Sequence, residues 1–163
     1  VKIQFGDLPG DAQEMLSKHL RIDFSRCDFR APRWFSAWAR NVNGNITGIF
    51  AIEFPLWFEG RVTTLVLDPR CMSRRTLRAI FTAAFTQARR LTAEVEPDNR
   101  RALRQVQRMG FVYEGYRRLG LEGTRDTLVY GMLKDDCKYL PGYKGPTVMA
   151  TPTLSADVYE KVH

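Results

Sequence analysis

Apolar and polar positions alternate over residues 61–67 (RVTTLVL), and β-branched side chains fill the run, which predicts a half-buried strand. Asp68 and Pro69 close it, because proline cannot donate to a ladder and turns the residue before it away from helical geometry. Ser73 then stands where an N-cap belongs. After it Leu77, Ile80, Phe81, Ala84, Phe85 and Ala88 recur at helical spacing and make one apolar face. Residues 91–95 (LTAEV) predict a short strand. Glu96-Pro97-Asp98-Asn99 opens a second helix with the stripe Ala102, Leu103, Val106 and Met109, and Gly110 suits the turn beyond its end. Strand, helix and strand in this order form a right-handed crossover with the two strands parallel. The loop-to-helix junction after the first strand is an anion site by construction, since unpaired backbone N–H groups and the helix dipole point out of it.

The flanking segments add mostly antiparallel elements. Residues 1–5 alternate and predict a short strand, and residues 9–20 predict a helix with Pro9 at its start and Ala12, Met15, Leu16 and Leu20 on one face. Residues 21–33 lack periodicity and carry Phe24, Cys27, Phe29 and Pro32, as a loop covering the core would. Residues 34–40 and 47–54 predict two strands joined by the turn Asn43-Gly44-Asn45, with Pro55 ending the second. Residues 111–118 and 127–134 predict the last two strands, with residues 119–126 as a loose linker. From Pro141 the chain changes character: three prolines, two glycines and small polar residues predict an extended or disordered tail, 141–163, after a single domain, 1–140.

The run TAEVEPDNRRALRQVQRMGFVYEGYRR resembles the closing half of the GNAT superfamily of acetyl-coenzyme A-dependent N-acetyltransferases. In its ribosomal-protein-modifying branch a strand leads into a pattern that Val95, Asn99, Ala102, Gly110, Phe111, Glu114 and Gly115 match here. The stretch TLVYGMLKDDC is similar to the last strand of small GNAT-like proteins often encoded by bacteriophages. The resemblance covers roughly residues 31–140. It implies an α+β (α/β/α) fold: a mixed, mostly antiparallel twisted sheet of six to seven strands with helices on both faces. It also implies acetyl-CoA as co-substrate, an amine acceptor on a protein or small molecule, and an acceptor pocket shaped in part by residues 21–33. Backbone amides of Leu65, Val66 and Leu67 would meet the pantetheine arm. Asn99 stands where the family has a pantetheine-binding Asn, and equally where an N-cap belongs. The family's phosphate loop is glycine-rich; residues 69–75 contain no glycine, and Arg70, Arg74 and Arg75, beside Ser73, offer charge in place of close backbone approach.

Direct acyl transfer needs a base for the amine, a donor for the oxyanion and a proton for the leaving thiolate. Glu53 and Glu94 are candidate bases acting through water, and each is also readable as a solvated strand residue. Tyr130 is a candidate proton donor to the thiolate, or a packing residue. Cys71 and Cys137 have no histidine near them in sequence, as only His19 and His163 exist, which argues against a Cys–His mechanism. Metal spacing is absent from the sequence, and three scattered cysteines make no disulfide framework, which points to the cytoplasm (the host cytoplasm for a phage-encoded chain).

The net charge of +7 suits the phosphates of coenzyme A, and suits nucleic acid as well. Arg100, Arg104 and Arg108, spaced by four, form either a solvated helix face or a phosphate-binding one. Trp34, Phe35, Trp38, Trp57 and Phe58 do not interleave with basic residues as a base-stacking platform would, so nucleic acid is not favoured. No apolar run is long enough to span a bilayer. The alternative to an enzyme is a catalytically weak or inactive protein of the same fold, a virion component for example, whose tail docks on an assembly partner.

Overall fold

In the computed structural model, which describes residues 2–24 and 27–143, seven strands form one sheet in the order β1-β2-β3-β4-β5-β7-β6. The strands are β1 Lys2–Phe5, β2 Trp34–Arg40, β3 Ile46–Leu56, β4 Glu59–Val66, β5 Arg90–Val95, β6 Val112–Leu121 and β7 Arg125–Leu133; the helices are α1 Gly10–Leu20, α2 Arg74–Gln87 and α3 Arg100–Met109. Every neighbouring pair is antiparallel except β4 with β5. This is the mixed, mostly antiparallel α+β architecture expected from the sequence.

Strand alternation assigns side chains to the two faces. On one, Leu91, Ala93 and Val95 of β5 and Leu128, Tyr130 and Met132 of β7 pack with Leu77, Ile80, Phe81, Ala84 and Phe85 of α2 and Val106 and Met109 of α3. On the other, Ala12 and Leu16 of α1 meet Ile49 and Ala51 of β3, with Phe24 and Phe29 from the covering segment. Each fully buried Leu, Ile or Phe contributes about 1.5–3 kcal/mol, so both helix layers are held mainly by apolar burial.

The caps follow the sequence. Ser73 Oγ accepts from the Thr76 N–H at 3.1 Å, and Asn99 Oδ1 accepts from the Ala102 N–H at 3.1 Å. Gly110, at φ 102°, takes the left-handed turn that ends α3.

Three boundaries differ from expectation. β3 runs through Pro55 to Leu56, because Pro55 falls in a ladder irregularity between Glu53 and Leu56, where its missing N–H breaks no bond. β4 accordingly starts at Glu59. The expected loose linker at 119–126 is instead mostly strand: β6 reaches Leu121, β7 starts at Arg125, and positive φ at Glu122 and Gly123 makes a tight hairpin turn.

A 3-10 turn, Pro69–Met72, precedes α2 and was not foreseen. It is pinned by Cys71, whose buried Sγ sits where a Cβ on Gly48 would come within 2.4 Å of it. Burial pushes the Cys71 thiol up to about 11, so it is no nucleophile at neutral pH. Residues 144–163, and with them the expected docking tail, lie outside the described residues.

Candidate active site

The one parallel pairing is short. β4 and β5 meet only at Glu59↔Arg90, Gly60↔Leu91 and Arg61↔Thr92. The glycine permits the approach, since a Cβ on Gly60 would lie 2.8 Å from Leu91 Cδ2. Beyond Arg61 the strands part, and the β4 edge facing β5 has no strand beside it.

Backbone groups alternate along this edge. The Val66 carbonyl faces the gap, where it accepts from Arg101 Nη2 at 2.8 Å, while the Leu67 N–H turns the other way and donates to Thr47 O at 2.9 Å. Alternation then aims Thr64 into the gap and Leu65 at β3. Of Leu65, Val66 and Leu67, it is Val66 whose backbone faces the parted strands.

A cavity of about 460 Å³ runs through the gap, from the α1 face of the sheet to α3. Ile22, Phe24 and Cys27 of the covering segment and Trp34 of β2 wall its outer end, and Asn99, Ala102 and Val106 its inner end. Four carboxylates line it, Glu53, Glu94, Glu96 and Glu122, against one cation, Arg61. They differ in how firmly they are held. Glu94 accepts from Arg117 and, at 2.9 Å, from Thr127 Oγ1. Glu96 accepts from Arg125 at 2.9 Å, and Glu122 lies 3.6 Å from the same guanidinium. Among the described residues Glu53 has only Arg33, at 3.7 Å. Arg125 also donates to the Arg21 carbonyl at 3.1 Å and so ties the end of α1 to the cavity rim. Trp34 Nε1, in the wall, is buried with no hydrogen-bond partner among the described residues.

Glu53 and Glu94 therefore share one cavity, but Tyr130 does not join them. Strand parity puts it with Leu128 and Met132 on the helix side of β7, 2% exposed, with its hydroxyl accepting from Gln107 Nε2 at 3.4 Å. It lines neither this cavity nor the next, and its position matches the packing reading of the two given for it.

A second cavity, about 500 Å³, lies between the 3-10 turn and α3. Its charged lining is Arg101, Arg104 and Arg108, with no carboxylate. The two cavities back onto each other at Met109, which lines both. Thr64 lines the first and Gln105 the second, and Gln105 Nε2 donates to Thr64 Oγ1 at 3.0 Å through the wall between them.

The loop residues expected to meet phosphate are differently engaged. Arg70 is gripped by its own neighbour Asp68, with contacts of 2.9 and 2.6 Å, and these bonds hold the Asp68 carboxyl below the usual carboxylate range. The Ser73 hydroxyl serves the α2 cap. Arg74 and Arg75 open the first turn of α2, and Arg74 lies close enough to Tyr139 in the second cavity to offset in part the burial that pushes the Tyr139 phenol up. Arg101 and Gln105 were missed as site residues. The spacing 101, 104/105, 108 was available in sequence, but four-residue spacing singled out Arg100, and only the packed stripe Ala102, Val106, Met109 sets which side of α3 faces the cavity.

No protein-family model matches the chain, and no curated protein matches it. Among solved structures, a spermidine N-acetyltransferase SpeG chimera from Vibrio cholerae and hSSAT superposes with a TM-score of 0.61 at 12% identity, over 85% of this chain and 99% of that one. A GNAT-family acetyltransferase from Streptococcus pneumoniae gives 0.57 at 20% identity, over 81% and 99%. The ribosomal-protein-S5-alanine acetyltransferase from Vibrio fischeri gives 0.53 at 18% identity, over 78% and 71%. What is shared at these identities is the fold: this chain has the seven-stranded α+β fold of the GNAT-family acetyltransferases.

Proposed function

We propose that the protein is an acetyl-CoA-dependent N-acetyltransferase acting on an amine of a small molecule or protein. The observation that carries this reading is the cavity through the sheet where β4 and β5 part, with a carboxylate-lined mouth on one side and an arginine-lined cavity behind it. The residues present suit such a ligand. The β4 edge at Thr64 and Val66, which no strand pairs, suits a chain of amides once Arg101 lets go of the Val66 carbonyl, and the arginine side suits phosphates. Leu65 and Leu67 flank that edge, Asn99 lies at the inner end of the gap, and Ser73, Arg74 and Arg75 form the helix start facing the phosphates. Arg70 joins them only by releasing Asp68.

Acetyl-CoA supplies an activated acetyl group as a thioester. The carboxylates attract the acceptor as an ammonium ion. Glu53, the least committed of them, takes its proton through water, leaving the nitrogen lone pair free to form the new C–N bond as the C–S bond breaks. Glu94, tied to Arg117 and Thr127, shapes the mouth. Holding both reactants in one gap supplies much of the rate.

The test is a thermal melt with acetyl-CoA, followed by mass spectrometry of a panel of amines. A ligand at 100 times its Kd adds about 2.7 kcal/mol to stability, so the melting temperature rises and one class of amine is acetylated. No shift at millimolar acetyl-CoA and no acetylated product would overturn the reading. One observation favours a second, catalytically silent function such as assembly with a protein partner: the Arg101–Val66 and Gln105–Thr64 bonds already span the gap. That function predicts the flat melt.

The three free cysteines suit a reducing cytoplasm. Among the described residues no helix is long and apolar enough to cross a membrane.

A further inference from the structure

We infer that the phosphates of the ligand are held by a row of guanidinium groups on α3, Arg101, Arg104 and Arg108, facing the first turn of α2, rather than by the loop at 69–75. This rests on the acetyltransferase reading and names the anion site within it.

The first ground is the pairing pattern. Several arginines are neutralised by carboxylate partners: Arg40 with Asp11, Arg90 with Glu114, Arg117 with Glu94, Arg125 with Glu96. The loop's Arg70 is neutralised in the same way by Asp68. Arg61, Arg75, Arg78 and Arg118 have no carboxylate partner among the described residues, and neither has the α3 row, which is set apart from them by lining one cavity together. Arg104 and Arg108 have no side-chain acceptor among the described residues, Arg101 has only a backbone carbonyl, and the cavity they line contains no carboxylate. Three cations converging on one cavity repel each other unless an anion joins them.

The second ground is length. Seven residues of helix separate the ends of the row, about 10 Å. One phosphate does not span that distance, whereas a nucleotide phosphorylated at two positions, such as coenzyme A, does. Leu77 of α2 lines the same cavity, which puts the start of that helix near it. The Arg74 and Arg75 N–H groups open a 14-residue helix with no acceptor among the described residues, and Arg74 acts electrostatically on Tyr139 in the same cavity.

The site is also coupled to the gap. Arg101 holds the Val66 carbonyl at 2.8 Å. When its guanidinium turns to a phosphate, that carbonyl is released to accept an amide N–H of the ligand's arm. The residue that recruits the charged end thereby frees the strand edge for the neutral part.

The experiment is isothermal titration of coenzyme A, 3′-dephospho-coenzyme A and pantetheine into the full chain, its Arg104→Ala/Arg108→Ala variant, Arg101→Ala and Arg70→Ala. Exposed Arg-to-Ala changes on a helix preserve helix propensity, and melting curves confirm that each variant is folded. The double variant should lose about 30-fold or more in affinity for coenzyme A, less for the dephospho form, and nothing for pantetheine. Arg101→Ala should lose affinity for coenzyme A while binding pantetheine no worse, because Val66 is then free. Arg70→Ala should stay within about twofold, since that charge is already spent on Asp68. Equal loss for all three ligands, or a loss confined to Arg70→Ala, would overturn the assignment while leaving coenzyme A binding intact. If the wild-type chain binds no coenzyme A, the acetyltransferase reading falls and takes this site with it.

Discussion

The two cavities on either side of the parted strands have nearly the same volume and opposite charge. The one opening on the α1 face has four carboxylates and one arginine; the one behind it has three arginines and no carboxylate. A net charge of +7 describes neither. The difference shows that the basic character of the chain is sorted by place: unpaired arginines gather on one side of the gap and carboxylates on the other. On the proposed acetyltransferase reading the unpaired arginines would draw the polyanion, while the carboxylates, each beside an arginine, would offer the amine acceptors rather than a net field. The sheet makes the sorting workable, because the gap between β4 and β5 joins the two chambers while Thr64 and Gln105 keep a wall between them.

The largest effect is expected where the chambers meet the chemistry. Glu53→Gln should lower kcat roughly 100-fold or more, as loss of a general base does, with the KM for acetyl-CoA unchanged. A normal kcat would move the base elsewhere in the acidic chamber.

Substitution on each side sharpens the comparison itself. Arg104→Glu should raise the KM for acetyl-CoA about tenfold or more and leave that for the amine alone. Glu96→Gln should raise the amine KM a few-fold and leave acetyl-CoA alone. Parallel shifts in both would mean that the chambers are not separate binding sites.

A third prediction concerns the floor under the junction. Gly48→Ala forces a Cβ towards Cys71 Sγ and should cost roughly 1–3 kcal/mol in urea unfolding, and adding Cys71→Ala should restore part of it. Independent losses would show that Cys71 does not pin the 3-10 turn through that notch.

The smallest effect belongs to Asp68. Asp68→Asn releases Arg70 beside the arginine-lined chamber, and affinity for coenzyme A should rise about two- to threefold. In the wild type the carboxyl is held low by Arg70, so the pairing is fully present above the ordinary carboxylate pKa of about 3.9 and is lost as pH falls through the depressed value. An NMR titration of Asp68 at or above the ordinary value would remove the reason for discounting Arg70.

Much of the frame was legible in sequence because it rests on local rules. The α2 stripe, the Ser73 cap and the Gly110 turn each follow from spacing and backbone preference, and the structure shows all three. The crossover was legible from periodicity, whereas the parting of its strands beyond Arg61 was legible only through the family resemblance, because no local rule says where two parallel strands separate. The choice between the two readings of Tyr130 was not legible, because which side of β7 it takes follows from register with β5, a non-local fact. Arg70 looked like a phosphate ligand until Asp68, two residues away, proved to hold it. Glu53 and Glu94 are 41 residues apart in number and share a cavity only because three strands lie between and beside them.

The crystal structure of the chain with coenzyme A bound tests the central claim most directly. The account predicts density for the phosphates against Arg101, Arg104 and Arg108, the arm running along the Val66 edge with Arg101 turned away from its carbonyl, and the thiol in the gap facing Glu53. Coenzyme A held at the 69–75 loop with the α3 row untouched, or bound away from the gap between β4 and β5, would contradict it.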